Sequence, residues 1–372
     1  MKKKITVIAL FLSAVLFLQS CDQIQPYIDM FGSSQTEETT EEEEITDAET
    51  VLIPRAEFTD PLTGAPTDSD RSKSRPVAIV VKNDRAASPQ YGLSRSSVLY
   101  EALVEGGLTR FLAVYSDISD AGKVGPVIDS RSYFFDFANN HNAVFVQAGT
   151  TKHGNETQVS YGVTALDAII GDMAPGFYRD PVMRAERGME NSILTDAKGL
   201  VSRAQQYGIT TTVSTRVLPY TTLDYLQNRE MTGGAYCTYL SIPFSTNMTV
   251  EYSYSTLTNK YTRSQYGAPH IDAETGDALS FTNIIVIIAD HTTIDQASGE
   301  MDISHSGRGN GYYVYGGSSI MITWQRTDGE NPIKLFEADG LTPLQISSGN
   351  TYIAVVSPRL SGKVEFERTA EK

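Results

Sequence analysis

The 372-residue chain carries 30 basic and 45 acidic residues and two cysteines, for a net charge of −15. No basic stripe is present, which excludes a nucleic-acid surface, and two cysteines exclude a disulfide-stapled scaffold. Roughly 320 residues beyond the N-terminal segments are enough for two domains of ordinary size.

Residues 1–20 open with three lysines and an apolar run over 5–18, too short for a spanning helix and placed where a secretory signal belongs. The run ends Leu18-Gln19-Ser20-Cys21, which is similar to the bacterial lipobox. That similarity implies cleavage before Cys21 and acylation of its thiol, anchoring the chain to the lipid bilayer on the extracytoplasmic face of the cytoplasmic membrane. Each buried CH₂ of such a chain contributes about 0.8 kcal/mol. The other cysteine, Cys237, then reads as a small buried hydrophobe.

Residues 21–52 hold the lipidated cysteine and an acidic tether. Ten acids and no lysine or arginine fall between Asp22 and Thr50, a one-signed composition that cannot bury enough apolar surface to fold. Removing residues 1–20 takes three lysines, leaving 27 basic against 45 acidic residues, or −18. The tether supplies −10 of this and the remaining −8 is ordinary.

Residues 53–235 read as a mixed α/β domain of layered sheet and helices. Apolar runs bounded by turn residues predict strands over 76–82, 98–104, 108–116 and 143–147. Capping and periodicity predict helices over 129–139, with Asp129 as N-cap, and over 195–207. Residues 236–372 read as a smaller β-rich domain: a hairpin of 250–254 and 260–264 turning at 258–259, then strands over 283–289, 311–315, 319–324 and 351–356. Twelve of the 20 tyrosines lie at or after Tyr220. They suit pleated, half-buried surfaces and also sugar or partner contacts.

No CxxC pair, HExxH, EF-hand loop, GxSxG elbow or phosphate-binding loop occurs, and His141, His153, His270, His291 and His305 show no ligand spacing. Neither a metal nor another cofactor is expected. The glycine-rich run over 306–311 leads into a strand rather than a helix and reads as a hairpin turn.

Carboxylates and arginines remain. On a helix Glu101 and Glu105 would stand roughly 5–6 Å apart, as in retaining glycosidases, but on a strand four residues span about 13 Å. The alternation of Val98, Tyr100, Ala102 and Val104 favours the strand. With Gly106-Gly107 as a two-residue turn, Glu105 faces Leu108, Leu103 faces Arg110 and Glu101 faces Leu112, setting Arg110 diagonally between the two glutamates. This group is either an ion cluster holding the hairpin or part of a site. Arg131, at a helix start where a cation is poorly placed against the dipole, leans towards a functional role.

Several segments then point to a family: PLTGAP (61–66), RPVAIVVKN (75–83), SPQYGL (88–93), YEALVEGGLTRFLAVY (100–115), GPVIDSRSYF (125–134), YTRSQYGAPHIDAETG (261–276), GRGNGYYVYGG (307–317) and ITWQRTD (322–328). In this order they resemble the YerB-like lipoproteins. The resemblance implies an α/β first domain and a β-rich second one in the bacterial envelope, and it brings no activity. After Tyr178-Arg179-Asp180 the family runs into a Pro-His-Asn segment; this chain reads RAERGMENSIL (184–194) and keeps only Asn191.

Two functions are expected to compete. One is a binding or scaffold lipoprotein reaching cell-wall glycan or another envelope protein. The other is an envelope glycan or phosphodiester hydrolase or transferase using Asn83, Glu101, Glu105, Arg110, Asp129, Arg131, Arg179 and Asp180, where arginines hold an anion and a carboxylate donates a proton.

Overall fold

The β-branched runs assemble one large twisted sheet. In this computed structural model residues 57–169, 173, 176–213, 224–226, 231, 233–304, 306–328 and 331–367 are described. The signal segment, Cys21, the tether and His305 lie outside them.

Eleven strands join in the order Ala235–Tyr236, Ser318–Arg326, Gly307–Tyr315, Asn283–Ile288, Thr351–Val356, Val98–Leu103, Thr109–Tyr115, Val77–Asn83, Val144–Gln147 and Leu166–Asp167, with Lys334–Glu337 also paired to Ser318–Arg326. Both sequence halves therefore share one sheet, joined where Thr351–Val356 runs parallel to Val98–Leu103. Val77–Asn83, Val144–Gln147 and Leu166–Asp167 are parallel neighbours, which leaves their carboxyl ends at one edge.

Alternation along these strands divides the core into two layers. On one face Ile79, Leu99, Phe111, Val286 and Ala354 pack with Leu240, Val250, Tyr252 and Tyr261 of a second, six-stranded sheet. Leu200 and Ala204 of the Ala197–Gln206 helix join that layer. On the other face Val80, Tyr100, Leu112, Ile285 and Val355 pack with Tyr133, Phe134, Phe135 and Phe137 of the Ser132–Asn139 helix. The mixed first half and the strand-rich second half agree with the fold class read from the sequence. Cys237 is a free, buried thiol.

Three local expectations are corrected. The turn after Val98–Leu103 contains three residues, Glu105, Gly106 and Gly107, not two; both glycines have positive φ, and the Val104 N–H donates to the Leu108 carbonyl across the turn. Leu103 consequently pairs with Thr109, Ala102 with Arg110 and Glu101 with Phe111. A one-residue slip exchanges the two faces of a strand, so Arg110 points away from Glu101. Asp129 does not cap the next helix: Arg131 occupies the N-cap position without a side-chain cap bond. The glycine-rich run is a strand from Gly307 rather than a turn, because Gly309 and Gly311 let it lie close against Trp324 and the Val286 carbonyl.

Candidate functional site

The register divides the expected polar group among three places. Asn83 and Glu101 lie between the two sheets, both fully buried. Glu101 Oε1 accepts from Asn83 Nδ2 at 2.9 Å and Thr109 Oγ1 at 2.6 Å, and Oε2 accepts from Arg263 Nη2 at 2.8 Å and the Tyr352 hydroxyl at 2.6 Å. Four donors thus satisfy one buried carboxylate, as burial of a charge requires. Although burial opposes its charge, Glu101 at its side keeps the Arg263 guanidinium firmly protonated.

His270 continues this network. Its Nδ1 meets Arg263 Nη1 and its Nε2 meets Gln90 Oε1 at 2.7 Å. Burial, with Arg263 beside it, pushes His270 well below the usual imidazole range, so the ring is neutral. Gln265 Nε2 donates to Asn83 Oδ1 at 2.9 Å. Asp272 accepts from the Gly92 and Ser94 backbone N–H groups at 2.8 and 2.7 Å. Sequence reasoning missed Arg263, Gln265, His270, Asp272 and Tyr352 as polar partners; the segment 261–276 contained all but the last as a motif.

Arg179 and Asp180 serve a separate loop. Asp180 caps the Pro181–Arg187 helix, accepting from the Val182 and Met183 N–H groups at 3.0 and 2.9 Å. Arg179 Nη1 donates to the Met189 carbonyl and Asn191 Nδ2 to the Arg187 carbonyl. Together they fix the loop over 179–191.

The remaining four side chains meet at the carboxyl ends of the parallel strands, where open α/β sheets place their ligands. Arg131 Nε and Nη2 clasp both oxygens of Glu105 at 2.6–3.0 Å. Arg131 Nη1 reaches Asp129 Oδ2 at 2.5 Å, and Arg110 Nη2 reaches Asp129 Oδ1 at 2.9 Å. The result is a line of alternating charge: Glu105, Arg131, Asp129, Arg110. Its arginines are 8 and 12% exposed at the side chain, Glu105 is 20% and Asp129 35%. The line therefore opens to solvent through its carboxylates.

Burial opposes ionisation of Glu105 and Asp129, but the guanidinium bonds and charges outweigh it, and both acids lie below their ordinary range. Burial also works against the charge of Arg131, and its two acids more than restore it. Beneath the line, Ser130 Oγ donates to Gln147 Oε1 at 2.5 Å and Gln147 Nε2 to Asp167 Oδ2 at 2.9 Å. Lys82 closes the rim beside Asp84 and Glu190, at 3.2 and 3.4 Å. From the second half, the hairpin of Asp290–Thr293 and Met301–Ser304 borders the rim through Asp302, which accepts from Ser132 Oγ at 2.7 Å. Among the described residues no group of three or more histidine, cysteine or carboxylate side chains is placed to hold a metal.

Two family models, described as the N- and C-terminal domains of a protein of unknown function (DUF3048), match residues 62–210 and 240–353. This chain belongs to the DUF3048 family. It is 32% identical over 303 residues to "Putative lipoprotein YerB" of Bacillus subtilis (strain 168), covering 80% of this chain and 85% of that protein. The crystal structure of the Bacillus subtilis YerB protein matches with a TM-score of 0.71 at 29% identity, covering 84% of this chain and all of that one. The boundary between the two DUF3048 models falls within a fold whose main sheet is built from both, so the rim draws on each.

Proposed function

We propose that this chain is a lipoprotein anchored through acylated Cys21, with a binding or scaffold role on the extracytoplasmic face of the cytoplasmic membrane. Its binding surface is the Glu105–Arg131–Asp129–Arg110 rim, and its partner is cell-wall glycan or an envelope protein. The lipobox-like segment and the name of the Bacillus relative support the anchor.

The observation that carries the binding role is the arginine bonding of both rim carboxylates, at 2.5–3.0 Å. Glu105 and Asp129 are both held ionised by arginine, so each accepts hydrogen bonds and neither is poised as a general acid, which needs a raised value. Arg131 is pinned on three sides, and such fixed charges are preorganised for recognition. The hydrolase reading required the eight polar residues in one place, and they stand in three.

Saturable sedimentation of the protein with isolated sacculi or envelope fractions tests the role. Binding weakened by Arg110→Ala or Arg131→Ala is expected; absence of binding to every fraction refutes it.

A further inference from the structure

The Gly307–Tyr315 strand alternates bare and polar positions. A Cβ on Gly309 would stand 2.5 Å from the Trp324 indole nitrogen, and one on Gly311 2.3 Å from the Val286 carbonyl oxygen. Those positions face inward, so Arg308 and Asn310 face the other way. Across the next strand Arg308 pairs with Gln325 and Asn310 with Thr323, and beyond it Lys334 pairs with Gln325. With the 339–341 turn and Asn331, these residues line two adjoining hollows of about 620 and 260 Å³ that share Arg308 and Gln325.

Arg308 and Lys334 are exposed, and no ion pair holds either among the described residues. Among the described residues, two acids beside the groove close their own turns: Asp339 accepts from the Leu341 and Thr342 N–H groups, and Asp328 from Asn331. Arg308, Gln325 and Lys334 lie in register across three strands, so the two cations stand about 10 Å apart at the backbone. Gln325 stands between them, with Asn310, Asn331 and Thr323 alongside; Gln325 and Asn331 each donate one N–H, to the Gly340 carbonyl and to Asp328, and the Thr323 hydroxyl donates to the Glu337 carbonyl, which leaves their oxygens as acceptors beside the Asn310 amide. Leu341, 80% exposed, forms an apolar lip.

We propose that this groove binds an acidic polysaccharide, a chain of hydroxyl-bearing rings with single carboxylates spaced along it. The amides and hydroxyl meet the ring hydroxyls, the apolar lip meets a ring face, and the separated cations meet successive carboxylates rather than one compact phosphate. The groove shares no residue with the Arg131 rim and does not depend on that rim's being a binding surface.

The test titrates the full chain, in detergent, with polygalacturonate, neutral dextran and pyrophosphate. Saturable binding of polygalacturonate that weakens with added salt, with none for dextran and no competition from pyrophosphate, is expected. Arg308→Ala with Lys334→Ala should weaken binding about tenfold, and Asn310→Ala with Gln325→Ala should also weaken it without altering charge. Thermal unfolding of both double variants should match the wild type. Failure of polygalacturonate to bind, or binding untouched by the charge pair, overturns the proposal. Loss with the charge pair but not with the amide pair, or displacement by pyrophosphate, overturns the saccharide assignment in favour of a general anion.

Discussion

Replacing Glu101 by glutamine retains the shape of the side chain and removes the charge on which the inter-sheet network turns. In the wild type its two oxygens accept four bonds, and its guanidinium partner Arg263 is 0% exposed. The amide presents a donor towards at least one of those donors and leaves Arg263 buried without a counter-charge. Breaking one side of such a pair costs about 3–5 kcal/mol. For a unit of this size, that lowers the unfolding midpoint by roughly 5–8 °C. Circular dichroism melts of Glu101→Gln and Arg110→Ala provide the assay, since Arg110 pairs with a rim acid that is 35% exposed and its loss should cost less. Replacing Glu101 and Arg263 together by apolar residues should cost less than the two single changes summed, because both buried charges then disappear. If Glu101→Gln shifts the midpoint by no more than about 1 °C, the carboxylate is not the buried anchor described, and the solvated hairpin cluster expected from a two-residue turn would be the better account.

Three further outcomes follow from particular contacts. His141 is fully buried and burial pulls it down to about 3, while the unfolded chain takes up that proton near 6.5. Its contribution is complete above 6.5 and lost as pH falls towards 3, roughly 5 kcal/mol in all, and urea unfolding of His141→Gln across this window should show a flatter pH dependence. Gly309→Ala drives a methyl group into the ring of Trp324, the one tryptophan in the sequence; about 1–3 kcal/mol of stability and a shift in intrinsic emission should result, and unchanged emission would contradict the packing. Cys21→Ser should move the protein from the membrane to the soluble fraction and abolish incorporation of labelled palmitate; labelling that persists would refute the anchor.

The strands over 77–83, 109–115, 283–288 and 351–356 were legible because each pairs an apolar run with turn residues at its ends. The Ala197–Gln206 helix was legible from its Asp196 cap. The hairpin register was not, because Glu-Gly-Gly suits a three-residue turn as well as a two-residue one, and local sequence does not say which face of the strand the core covers. That single residue decided whether Arg110 joined Glu101 or Asp129. Arg263 and Tyr352 lie 162 and 251 positions from Glu101; the parallel pairing of Thr351–Val356 with Val98–Leu103 brings Tyr352, and the packing of the second sheet brings Arg263. Of the rim, Arg131 was recognisable from its uncomfortable place at a helix start, and its four bonds to carboxylates explain how the chain holds it there.

Hydrogen exchange of the full chain in isolated envelopes, compared with the same chain in detergent, examines the rim directly. Slower exchange of the amides at 104–108 and 129–132 in the envelope, restored to the detergent rate by Arg131→Ala, is the predicted result. Equal exchange at those amides in both settings, with protection elsewhere or nowhere, would contradict the rim as the binding surface.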